Sequence, residues 1–270
     1  MYAFFLDIDG TILKDGQMSP AVADAIRKAQ EMGNRVFINT ARTYHGIPPV
    51  IRHFPFDGFV ASYSTTIIAE GGVFHSKAFD RDTLYDFVKY SFDKGLDADF
   101  LGEDKFLSVN PSRTPRIAME CAEDIRERYP RAVINKIGVY GPPVEEVVSF
   151  FGERSSVYLF PHFFECVPKG YTKATGMEML CDRFGIPIEN SVAIGDTIHD
   201  YDMIARAGYG VAMGNGQDEL KAKVDYVTDT LANDGVAYAI ECILSGEPDK
   251  LKKDRDGAEF DTAYAIAEPV

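Results

Sequence analysis

The sequence predicts an α/β protein: a parallel-sheet core interrupted by a smaller α+β module. Three observations predict it. Short apolar runs alternate with amphipathic, helix-length stretches at both ends of the 270 residues, the pattern of strands joined by crossover helices. Carboxylates stand just beyond those runs, where open α/β sheets place ligands. Between about residues 80 and 163 the texture changes to helix-like stretches interleaved with short alternating runs, which suits an antiparallel sheet. The expected division is a discontinuous core of residues 1–79 and 164–270 with residues 80–163 inserted.

Taken in order, Tyr2 to Leu6 is an apolar run leading into Asp7 and Asp9 and broken at Gly10, a buried parallel strand with an acidic tip. Residues i and i+2 of an extended segment point the same way, so the two carboxylates lie side by side. Two such neighbours do not both ionise cheaply: either a cation joins them or one keeps its proton. Ser19-Pro20 supplies an N-cap and an N1 proline for a helix with Val22, Ile26, Ala29 and Met32 on one face and Gly33 at its end. RVFINTAR is a second strand ending at Asn39 and Thr40. A right-handed crossover brings both polar tips to the same sheet edge.

In the middle, TLYDFVKYSFDK and PRIAMECAEDIRERYP have helical texture, while FLSVN and KIGVYG read as strands. Thr172 then caps a helix with Met177, Leu180, Cys181 and Phe184 inward and Gly185 at its end. Lys173 falls in the first turn, where a cation opposes the helix dipole at a cost of a few tenths of a kcal/mol if exposed. Ser191 to Ile194 is a strand followed by an acidic loop and a helix; YGVAM and DYVTD are further strands. The polar tail from Ser245 is expected to be loosely held.

A net charge of −14 argues against nucleic acid or an anionic membrane as partner, though local positive groups still admit a small phosphorylated metabolite. Cys121, Cys166, Cys181 and Cys242 form no metal-ligand spacing and read as buried thiols in a reducing compartment. Without a signal-like N-terminal segment or a bilayer-spanning run, the expected address is cytoplasmic. The expected state is a monomer or homodimer.

Asp7, Asp9, Asp196 and Asp200 gather at one edge of the inferred sheet. Clustered carboxylates without thiolates or paired histidines suit a hard cation, Mg²⁺ where phosphate is also present. Either loop alone is equally a polar turn or an N-cap; the pair carries the cation reading. Thr40 and Arg42 suit either phosphate oxygens or a turn cap.

The ordered set DIDGT at 7–11, INTAR at 38–42, PKGYTK at 168–173 and GDTIHD at 195–200 resembles the four motifs of the haloacid dehalogenase superfamily. The stretch from GDTIHD through NDGVAYAI is similar to its Cof-type branch, subclass IIB, of small-phosphate phosphatases. The resemblance implies a Rossmann-like core with an inserted α+β cap of the C2 type. It also implies a phosphatase in which Asp7 is the nucleophile and forms an aspartyl-phosphate. Asp9 would protonate the leaving alcohol and then activate water. Mg²⁺ would be held by the Asp7 carboxylate, the Asp9 main-chain carbonyl and Asp196, with Asp200 ordering its waters. Thr40, Lys173 and the amides of Ile8 and Ala41 would bind the phosphoryl oxygens. A phosphomutase and a noncatalytic phosphometabolite sensor are the alternatives on the same fold.

Departures from the pattern are Ala41 where glycine is usual, His199 where asparagine is usual, and Ser62-Tyr63-Ser64 where relatives often carry Asn-Gly-Ala. The His199 imidazole is a candidate donor to phosphate or to Asp200. In the cap, Phe100, Phe106, Tyr140 and Phe160 are expected mainly to fill core; Arg113, Arg116 and Lys136 could meet an anionic substrate, with surface solvation the favoured expectation.

Overall fold

The computed structural model describes residues 1–102, 105–111 and 117–252. The chain opens with β1 (Ala3–Leu6), α1 (Pro20–Glu31), β2 (Arg35–Asn39), α2 (Pro49–Arg52), β3 (Gly58–Ala61), β4 (Thr66–Ala69) and β5 (Gly72–Ser76). It continues through α3 (Arg81–Asp93), β6 (Asp97–Gly102), β7 (Phe106–Val109), β8 (Ile117–Ala118) and α4 (Asp124–Glu127). Then follow β9 (Ile134–Tyr140), α5 (Glu145–Gly152), β10 (Ser155–Phe160) and β11 (Phe163–Pro168). The last third holds α6 (Lys173–Phe184), β12 (Ser191–Gly195), α7 (Tyr201–Arg206), β13 (Tyr209–Ala212), α8 (Asp218–Lys223), β14 (Tyr226–Val227) and α9 (Gly235–Leu244).

An eight-stranded sheet has the order β14-β13-β12-β1-β2-β3-β4-β5. It is parallel from β14 to β3. β1 is central and wholly buried, so its apolar run meets helices on both faces. Leu6 pairs with Ile38 on one side and Ile194 on the other. That register sets Asp7, Asn39 and Gly195 level at one edge. The hairpin of β4 and β5 adds an antiparallel edge beyond the elements expected from the sequence. Its signal is Glu70-Gly71, both with positive φ (53° and 80°), the backbone of a tight two-residue hairpin turn.

α1 forms as its caps require: Ser19 Oγ accepts from the Val22 amide at 3.2 Å, and Val22, Ile26 and Ala29 are buried. Met32 lies past the last turn and is 55% exposed, so the apolar face stops at Ala29. In α6, Met177, Leu180 and Cys181 are buried, and Phe184 packs against Phe37.

A six-stranded sheet, β10-β11-β9-β6-β7-β8, lies in the middle of the chain. One face, with Ala98, Phe100, Leu107, Ile137, Val139, Phe164 and Cys166, packs with Leu84, Phe87, Val88 and Phe151 of α3 and α5. The alternate residues, including Asp99, Lys136 and Glu165, point to the other side. β11 pairs with β9 and β10 through Cys166 and Pro168, so this sheet takes in five residues beyond the expected boundary at 163.

Two expectations are corrected. The helix expected over PRIAMECAEDIRERYP is instead the short strand β8 and one turn, α4, within the described residues. Asp124 Oδ2 accepts from the Glu120 amide at 2.7 Å, a local side-chain bond that competes with helix. The start of the tail is docked: Leu251 is 1% exposed, and Lys252 bridges to Tyr226. Residues 253–270, like Arg113 and Arg116, lie outside the described residues.

Candidate active site

The loops leaving β1, β2 and β12 and the first turn of α6 converge at the carboxyl edge of the parallel sheet. Lys173, the first residue of α6, is 3% exposed and donates to Asp7 Oδ1 at 2.6 Å and to Asp200 Oδ1 at 2.5 Å. Its place in the first turn is explained by these two anions, which outweigh the unfavourable helix dipole. Asn39 Nδ2 bonds the Lys173 carbonyl at 2.9 Å, tying the tip of β2 to the start of α6. Asn39, expected from the sequence only as a strand end, thereby anchors the first turn of α6.

Asp200 is fully buried. Its Oδ2 accepts from the Asp196 and Thr197 amides at 3.1 and 2.9 Å and from the Thr197 hydroxyl. A side chain on Gly195 would place its Cβ 2.4 Å from Asp200 Cγ, so glycine is what lets Asp200 tuck beneath the loop. Gly10 plays the matching part: its φ is 78°, and a Cβ there would lie 2.1 Å from Asp196 Oδ2.

Asp7, Asp196 and Asp200 each bring a carboxylate oxygen within 4.8 Å of the others. Three carboxylates against one ammonium leave two negative charges in a largely buried site. Burial, with Asp200 and Asp196 adding to it against the pull of Lys173, pushes Asp7 up to about 7. Burial and Asp200 push Asp196 up to about 7. Burial works against the Lys173 charge, but Asp200 and Asp7 prevail and hold it above the ordinary lysine value. An all-oxygen donor set with two uncompensated charges fits a divalent hard cation.

Asp9 stands apart from this cluster. Its carboxylate, 57% exposed, accepts a two-point bond from Arg42, 2.6 Å from Nε and 2.8 Å from Nη2. Arg42 Nη1 continues to the Gly46 carbonyl. Arg42 therefore faces Asp9, a pairing that neither a phosphate contact nor a turn cap describes. Thr40 is buried, and its Oγ1 accepts from the Arg42 amide at 3.2 Å. Ile8 is wholly buried behind Asp7.

His199 does not point to Asp200. Its Nε2 is 3.1 Å from the Leu159 carbonyl, and its ring packs on Phe160 with centroids 4.5 Å apart. It thus seats the β10–β11 hairpin on the loop that follows β12, and burial holds its pKa below the ordinary histidine value. Lys136 overturns the expectation of a solvated lysine: it is 5% exposed and donates to the Ala41 carbonyl at 2.8 Å. Period-two alternation along KIGVYG carries the signal, since it sets Lys136 opposite Ile137 and Val139 of the cap core. Phe100 is buried in that core, as expected, while Phe160 faces His199. Phe106 and Tyr140 are half-buried, and Tyr140 donates to Asp99.

Fold and site together define an α/β enzyme with a buried lysine–aspartate centre at its strand ends, covered by an antiparallel sheet. Residues 4–240 match the family model described as haloacid dehalogenase-like hydrolase, and the chain belongs to that family. It is similar to phosphatase YwpJ of Bacillus subtilis, 26% identical over 280 residues covering 88% of this chain and 98% of that one. It is likewise similar to the 5-amino-6-(5-phospho-D-ribitylamino)uracil phosphatase YcsE of Bacillus subtilis, 29% identical over 250 residues covering 87% and 92%. Among solved structures it shares the fold of the phosphatase BT1666 from Bacteroides thetaiotaomicron: TM-score 0.78, 23% identity, 89% and 94% of the two chains. Among the described residues no helix is long and apolar enough to cross a membrane.

Proposed function

We propose that this hydrolase is a Mg²⁺-dependent phosphatase of a small phosphorylated metabolite, acting through an aspartyl-phosphate on Asp7. The observation that carries the reading is the buried Lys173 shared by Asp7 and Asp200, in a cluster that still lacks positive charge. Asp7, the Asp9 main-chain carbonyl and Asp196 would hold the ion, with Asp200 beside them. When bound, Mg²⁺ supplies charge that offsets the repulsion between a carboxylate and a phosphate.

The chain's own residues do the rest. An Asp7 carboxylate oxygen forms a bond to phosphorus as the ester P–O bond breaks, and the leaving oxygen takes its proton from an Asp9 that has parted from Arg42 and been protonated. Asp9, held again by Arg42, then takes a proton from water as that water's oxygen bonds to phosphorus and the Asp7–phosphorus bond breaks. Lys173, the Thr40 hydroxyl and the Ile8 and Ala41 amides hold the phosphoryl oxygens through both steps. Residues 80–163, with the remainder of β11, act as a cap that selects the leaving group and excludes water. A relative named for a ribitylamino-uracil phosphate supports a polyol or sugar phosphate as substrate class. Cys166, Cys181 and Cys242 are buried as expected, while Cys121 is exposed, against expectation; that all four are free supports a reducing, cytoplasmic setting.

Phosphate release from a panel of sugar phosphates, nucleotides, pyridoxal phosphate and p-nitrophenyl phosphate tests the reading. Wild type with Mg²⁺ is expected to release phosphate, and EDTA or Asp7→Asn to abolish release. Turnover without metal, or by Asp7→Asn, contradicts it.

A further inference from the structure

Three features left without a catalytic role meet at one point: the turn at Ser62–Ser64, the cap pair Lys136 and Glu165, and the peptide joining Ala41 to Arg42. Ser62, Tyr63 and Ser64 all have positive φ (50°, 51° and 75°), a conformation that residues with side chains avoid unless their surroundings impose it. The surroundings here are explicit. The Ser62 amide donates to the Arg42 carbonyl at 2.8 Å, and Ser64 Oγ bonds the Thr172 carbonyl and accepts from the Gly176 amide. The turn therefore clamps the Thr40–Arg42 loop on one side and the start of α6 on the other. Tyr63, wholly buried, reaches into the cap: its ring stacks on Tyr158 at 3.7 Å, and its hydroxyl donates to Glu165 Oε2 at 3.2 Å.

Glu165 Oε1 holds Lys136 Nζ at 2.5 Å, the diagonal pairing of two cap strands. The Lys136 ammonium lies 5.8 Å from the Tyr63 ring centroid and 2.8 Å from the Ala41 carbonyl oxygen. That carbonyl and the Arg42 N–H belong to one peptide group, and the N–H donates to Thr40 Oγ1. A cation on the carbonyl polarises the peptide and strengthens its N–H as a donor. With that bond accepted, the single hydroxyl proton of Thr40 is left to point elsewhere.

We infer that Lys136 is a positioning residue of the phosphoryl site: through the Ala41–Arg42 peptide it orients the Thr40 hydroxyl to donate to a phosphoryl oxygen. Glu165 and Tyr63 hold it there when the cap is seated. The inference rests on the phosphatase reading for its catalytic meaning, but its chemistry concerns binding of a tetrahedral oxyanion. Because Lys136 comes from the cap, the phosphate loop is complete only with the cap closed, and substrate binding and closure favour each other.

Inorganic phosphate in the presence of Mg²⁺ is the probe, followed by titration calorimetry and as a competitive inhibitor of p-nitrophenyl phosphate turnover. Lys136→Met, which keeps the stem and removes the donor, is expected to weaken phosphate binding roughly tenfold, the usual effect of a lost charged hydrogen bond. KM should rise more than kcat falls, and Lys136→Arg should restore binding to within roughly threefold. Glu165→Gln should fall between wild type and Lys136→Met. Wild-type phosphate affinity in Lys136→Met overturns the inference. If that variant does not fold, wild-type affinity in Glu165→Gln overturns it instead. A wild type that binds phosphate but hydrolyses nothing in the panel would defeat the phosphatase reading alone, leaving the binding comparison to decide on Lys136.

Discussion

Lys173 makes the most concentrated use of charge in the molecule. Removing one member of a buried ion cluster leaves its partners uncompensated, which costs roughly 3–5 kcal/mol. Lys173→Met is accordingly expected to lower the unfolding free energy of metal-free protein by an amount in that range and to abolish turnover; chemical denaturation and phosphate release check both. A loss below about 1 kcal/mol, the worth of an exposed pair, would contradict the burial argument. Arg42 makes a different test. Its two-point bond to Asp9 is half exposed, so Arg42→Met should leave stability within about 1 kcal/mol. It should lower kcat by roughly tenfold, because Asp9 loses the geometry set by a two-point, charge-assisted contact. Equal kcat in the two proteins would show that Asp9 needs no such support.

At the scale of elements, the strands and helices that carry chemistry were the ones most legible in the sequence. The Tyr2–Leu6 run, the Ser19-Pro20 cap and the Thr172 cap each rest on a local rule that tertiary packing reinforces. Asp7, Asp9, Asp196 and Asp200, with Thr40 at its strand end, are expected at one edge because parallel crossovers deliver strand tips together, whereas Lys173 joins them only through the family resemblance. Local side-chain bonds and tertiary pairing decided the rest. The helical texture over residues 117–130 gave way where Asp124 bonded the backbone outside a helix; strand alternation sets Lys136 away from the cap core, but its burial comes from Ala41 and Glu165, which are distant in sequence. His199 belongs to this class too: its partners, Leu159 and Phe160, lie on a hairpin some forty residues away. His199→Ala should therefore loosen the β10–β11 hairpin, read as faster amide exchange over residues 155–163. The metal-dependent stabilisation of the core should be unchanged. Unchanged exchange with lost Mg²⁺ binding would return His199 to the acidic centre.

For the whole molecule, the excess negative charge of the site couples stability to pH and metal. Asp7 and Asp196 are both pushed from an ordinary 3.8 up to about 7. In metal-free protein their contribution is most favourable below the ordinary value, where they are protonated in both states, and is lost as pH rises through about 7. The proposed Mg²⁺ would bind the deprotonated carboxylates, so it should restore more stability at high pH than at low. The gain in Tm on adding Mg²⁺ is expected to be larger at pH 8 than at pH 6 by at least about 3 °C, the shift that roughly 1 kcal/mol makes in a chain of this size. An equal gain at both pH values would contradict the charge count. Whether Asp7 takes the phosphoryl group is decided by acid-quenching wild-type enzyme during turnover and mapping the modified peptide by mass spectrometry. One added phosphoryl group is expected on Asp7, absent from Asp7→Asn. A phosphoryl group on another residue, or turnover by Asp7→Asn, would contradict it.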